Sequence, residues 1–102
     1  MNQDSLREGV ESGLVVLSGK SPEGKLLPPY SITVLLHEAR PDGTWKIVGL
    51  HEGRHIVATA DFDRNQVSIV DVAQTVPEKK NELFPWCDPD PKDILAWVEG
   101  KG

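Results

Sequence analysis

The chain has 102 residues, 38% of them hydrophobic and 26% charged, with 16 acidic against 11 basic residues and a formal net charge of −5. That length fits one domain, residues 1–102, with a modest core. The acidic balance argues against nucleic acid or an anionic membrane as partner, because clustered Lys and Arg would have to hold either one.

The chain opens with Ser5-Leu6-Arg7-Glu8, the capping-box pattern, which predicts a short helix ended by Gly13. Gly9 weakens that helix, so a first strand starting near Gly9 is the alternative. A strand is expected at 13–18, GLVVLS. The connection 19–29, GKSPEGKLLPP, is long enough to be mobile or to reach across a sheet. Residues 30–38, YSITVLLHE, read as a strand that is apolar on both faces at Val34-Leu35-Leu36, which suits a central or doubly covered position. Arg40-Pro41-Asp42-Gly43 is a turn in which Pro presets φ, Asp bonds its own backbone and Gly takes a positive φ. Strands at 44–51 and 55–62 follow, separated by Glu52-Gly53-Arg54. In the second of these Ile56, Ala58, Ala60 and Phe62 share one face. The two small alanines leave room for a large neighbour, either Trp45 or an aromatic from a helix. After the turn Asp63-Arg64-Asn65 comes a strand at 66–73.

Residues 76–90 form an irregular, proline-rich connector. Asp90-Pro91-Lys92-Asp93 then gives an N-cap, a proline at the first helical position and an acid in the first turn. Helix 91–99 places Ile94, Leu95 and Val98 on one stripe with Trp97 beside it, and Gly100 ends it. The fold class is therefore α+β, mainly β: an antiparallel meander of four to five strands, as an open sheet or a small barrel, with a C-terminal amphipathic helix.

His51-Glu52-Gly53-Arg54-His55 spells H-E-x-x-H, the zinc-binding core of a metalloprotease when it lies on a helix. Both flanks here alternate with period two, and Gly53 disfavours a helix by roughly 1 kcal/mol relative to Ala. The reading is a hairpin turn with Gly53 at positive φ. A weaker metal alternative survives, in which His51 and His55 face each other across the turn with Asp61 or Asp63 nearby. Asp61-Phe62-Asp63-Arg64-Asn65 has calcium-loop spacing, but Gln66 and Val72 stand where Gly and a bidentate acid are needed, so it reads as an Asx-type turn. His37 falls at the far end of its hairpin from His51. Cys87 is flanked by Asp88, with Asp90 beyond it, which disfavours a reactive thiolate. No cofactor is expected.

The aromatic residues Phe84, Trp86 and Trp97 gather near the C-terminus. They either pin the tail to the sheet or anchor a partner. The lone cysteine and the polar N-terminus MNQDSLREG point to a cytoplasmic protein of bacterial or viral type, with no secretory signal. The functional expectation is a small acidic module without catalysis, acting through a protein partner or self-association, a homodimer included, in a regulatory or inhibitory role. The alternative is a small metal-dependent or His/Asp-based hydrolase using the His51/His55 region.

Overall fold

A computed structural model describes residues 3–21, 23–79 and 89–100. Helix α1 runs over Gln3–Ser12 and stops where Gly13 takes φ 88°. The helix is the form taken here, not a strand from Gly9. It starts two residues before Ser5, so Ser5 lies in its first turn and is not its cap. Five strands follow: β1 Leu14–Lys20, β2 Leu26–Ala39, β3 Thr44–His51, β4 Arg54–Asp61 and β5 Gln66–Asp71. Two helices complete the described chain, the one-turn α2 Val72–Thr75 and α3 Pro91–Glu99.

The strands form a closed barrel in the order β1-β2-β3-β4-β5. Each consecutive pair is antiparallel. In a meander with an odd number of strands the first and last run in the same direction, so the barrel can close only through a parallel pair. That pair is β1 with β5, and it consists of one rung, Lys20 beside Gln66, with the Lys20 amide donating to the Asn65 carbonyl at 3.0 Å.

The curvature that permits closure is concentrated in β2. Between the pairs Leu17–Tyr30 and Gly19–Leu27, β2 has one residue more than β1, at Pro28-Pro29. Between Val34–Gly49 and Leu36–Val48 it has one residue more than β3, at Leu35. Each extra residue is a bulge, which bends a strand and raises its twist. Proline is tolerated at a bulge because no ladder donor is required there. The 14-residue β2 thus begins at Leu26, inside the 19–29 segment expected to be a connection. The true loop is 21–25, held by Ser21, whose amide donates to the Lys25 carbonyl and whose hydroxyl accepts from the Lys25 amide. At the other end, the strand expected over 66–73 stops at Asp71. There the Asp71 carboxylate accepts from the Ala73 amide and starts α2.

Two apolar layers result. Inside the barrel, Val15, Leu17, Ile32, Trp45, Ile47, Ile56, Ala58, Ala60 and Val67 pack together, with Val10 of α1 among them. Trp45 pairs directly with Ala60, so the small residue does make room for the indole. Outside the barrel, Val48 and Val57 face Val72 of α2 and Ile94 and Leu95 of α3, flanked by Leu36, Trp97 and Val98. This outer layer explains why Leu36 and Val48 are apolar on the face away from the barrel core.

Candidate functional site

HEGRH is a two-residue hairpin. His51 pairs with Arg54, and Glu52 and Gly53 take φ 52° and 79°. Two positive φ values mark the turn that matches the natural twist of a hairpin. Because Leu50 pairs with His55, the two histidines sit one register step apart and on opposite faces of the ribbon. His51 belongs to the face that lines the barrel, and His55 to the outer face.

Register gathers four polar side chains at the barrel mouth. Tyr30 lies one inward step beyond Ile32, His51 lies opposite Arg54, and Asp71 lies opposite Ile56. The His51 ring stacks on Tyr30 with centroids 3.8 Å apart and planes at 25°. His51 Nδ1 lies 2.7 Å from the Ser31 carbonyl oxygen. A carbonyl can only accept, so Nδ1 carries the proton and the neutral ring keeps its lone pair on Nε2, 4.0 Å from Glu52 Oε1. Arg54 pairs with Asp71 at 3.5 Å. Burial raises the Tyr30 phenol above its ordinary value, the Asp71 and Glu52 charges add to that, and Arg54 opposes them. Tyr30 and Asp71 carry no motif. Only strand register, with its barrel-lining face, could have joined them to His51.

The other candidates are dispersed. Asp61 and Asp63 lie at the opposite end of β4 from His55, about 20 Å away at ~3.3 Å per residue. Asp61 Oδ1 accepts from the Arg64 amide at 3.2 Å, which makes the expected Asx turn. His37 pairs with Ile47 and stacks near Trp45 with ring centroids 5.9 Å apart, well away from His51. Among the described residues no three His, Cys, Asp or Glu side chains gather as a metal site. Trp97 is half-buried against the outer apolar layer, with the Lys79 ammonium 5.2 Å from its ring centroid. Phe84, Trp86 and Cys87 lie outside the described residues.

Two surfaces remain. A cleft of about 280 Å³ opens between α3 and the end of β2, lined by Leu36, Glu38, Arg40, Lys92, Leu95 and Glu99 among others. Its two carboxylates both face Arg40. Arg40 pairs with Glu99, and its Nε lies 2.9 Å from Glu38 Oε1 at an angle too bent for a hydrogen bond. The second surface is the outer face of β1 and β2. Val15 and Leu17 are 2% and 1% exposed, whereas Leu14 and Val16 on the same strand are 53% and 59% exposed. Thr33 and Ser31 lie beside them in register, and Leu35 and Leu26 are also exposed.

Among the described residues these features define a small closed barrel with a polar mouth, a flank covered by helices and a second flank on which Leu14 and Val16 are exposed. No family model, no curated protein and no solved structure matches the chain. Among the described residues, no helix is long and apolar enough to cross a membrane.

Proposed function

We propose that this protein is a small non-catalytic interaction module, regulatory or inhibitory in role, that holds a protein partner against the outer face of β1 and β2. The carrying observation is the exposure of Leu14 and Val16. A strand with one solvated face normally alternates apolar and polar residues. β1 is apolar on both faces at these positions, and the outward pair is exposed. Exposed apolar side chains set side by side on one strand face suit an interaction site. The low Cys content suits a reducing cytoplasm, and the net charge of −5 suits a protein partner better than nucleic acid.

The test is a photoreactive residue placed at Val16 in cells that express the protein, with the exposed Gln74 on α2 as control position. A crosslinked product from Val16 but not from Gln74 is the expected result. Equal labelling at both positions, or none at Val16, would remove the reading.

A metal-dependent or His/Asp-based hydrolase draws less support, because His51, His55, Asp61 and Asp63 do not converge. His51 is held in one tautomer by the Ser31 carbonyl, and its ring is stacked on Tyr30. Added zinc is expected to leave the melting temperature unchanged. A zinc-dependent rise that His51→Ala abolishes would revive that reading.

A further inference from the structure

We infer that the occupant of the outer β1–β2 face is a second copy of this chain. The two copies pack face to face about a two-fold axis that lies between the faces and crosses β1 near Val16. The inference rests on the interaction reading above and names its partner.

At the start of β1 edge-to-edge pairing is obstructed by α1. A Cβ on Gly9 would lie 2.9 Å from the Leu14 carbonyl oxygen and 3.0 Å from Val15 Cγ2, so α1 lies tight against the start of the strand. The outward face stays open. It presents Leu14, Val16 and Ser18 from β1, and Leu26, Ser31 and Thr33 from β2, all exposed.

Charge selects the orientation. The α1 end of β1 carries exposed Glu8 and Glu11 against Arg7 and is net negative. The opposite end carries Lys20 and Lys25 against Glu23 and is net positive. An axis along β1 would superpose like ends. An axis across β1 reverses the second copy, so that each acidic end meets a basic end and Val16 meets Val16. A two-fold contact needs a self-complementary patch, and a patch acidic at one end and basic at the other meets that requirement. β1 is about 23 Å long at ~3.3 Å per residue, so the contact belongs to the small interfaces that form weak, concentration-dependent dimers.

The experiment is light scattering on the full chain across a concentration series from about 10 μM to about 1 mM. The expected result is a mass that rises from one chain toward two, with the midpoint moving to higher concentration as salt is added. Val16→Lys, and separately Leu14→Lys, should hold the protein monomeric while the melting temperature of the dilute protein stays in place, because both side chains are already exposed. Lys20→Glu should weaken association about tenfold, and adding Glu11→Lys should restore it. A monomer at every concentration overturns the inference, as does a dimer indifferent to Val16→Lys. The photocrosslink at Val16 separates the two proposals. A product of twice the chain mass supports the second copy. A product of another mass overturns the second copy and leaves the interaction face standing. No product overturns both.

Discussion

Tyr30 is the only tyrosine in the chain, so its ionisation can be followed alone by tyrosinate absorbance. Its phenol sits above the ordinary value of 10.0, first through burial and then through the Asp71 and Glu52 charges. A folded value above the unfolded one means that the folded state holds its proton longer. The contribution to stability is therefore whole below pH 10 and is lost as pH rises through the folded value. Asp71→Asn keeps a side chain able to cap α2 and removes the charge, so the absorbance midpoint should fall part of the way back. Arg54→Ala should raise it. Unchanged midpoints in both variants would disprove the mouth cluster. Gly49 poses a different constraint at the same scale. A Cβ there would stand 2.3 Å from the Thr33 carbonyl oxygen and 2.5 Å from Ile32 Cγ2. The β2–β3 backbones approach so closely that Gly49→Ala should destabilise the fold by about 1–3 kcal/mol or more in urea unfolding. Neither constraint is legible in the sequence, because both depend on what register brings across from another strand.

At the scale of elements, α3 and β2 differ in how much of them was legible. Helix α3 has its signals in sequence order, and the structure uses them as written. Asp90 accepts from the Lys92 amide at 2.8 Å, Pro91 opens the helix, and Gly100 closes it at φ 77°. Asp90→Ala should lower stability by about 1 kcal/mol. Ile94 is fully buried between α3 and the sheet, so Ile94→Ala should cost about 2–5 kcal/mol. β2 extends through Pro28-Pro29, which local rules read as a strand breaker, because a bulge absorbs the missing donors. Deleting Leu35 removes the second bulge and makes Val34–Gly49 and Leu36–Val48 consecutive pairs, which keeps the register and takes away the local bend and twist that the closed barrel uses. A lower urea midpoint is the expected outcome. The β2–β3 turn is a local device again. Asp42 accepts from the Thr44 amide and hydroxyl, which holds its carboxylate below the ordinary range. With a lowered folded value, the stabilisation is present above the ordinary carboxylate range and is lost as pH falls through the folded value. Asp42→Asn should therefore flatten the acid limb of the stability profile.

At the scale of the molecule, the barrel is joined unevenly. Eight residue pairs link β3 to β4, whereas one links β1 to β5. Local opening follows the weakest cooperative unit. In native-state hydrogen exchange the Lys20 amide should exchange well before the β3–β4 ladder. Equal protection would mean that the seam opens only with global unfolding. The outer apolar layer divides the barrel in the same uneven way, because α2 and α3 cover the flank built on Val48 and Val57 and leave the flank built on Leu14 and Val16 open.

Alternation, turn chemistry and caps are properties of neighbours along the chain. The sequence by itself therefore determined the β3 and β4 strands, the Glu52-Gly53 turn, the Asp61 turn and the whole of α3. It also marked Ile56, Ala58 and Ala60 as one face. Closure of the meander, the bulges in β2, the meeting of Tyr30, His51, Arg54 and Asp71, and the bareness of Leu14 and Val16 were decided by the tertiary structure. Each is a relation between residues far apart in sequence. An apolar residue on an outward strand position reads the same in sequence whether or not a helix lies over it, and only the packed fold shows that α3 covers Val48 and leaves Val16 uncovered.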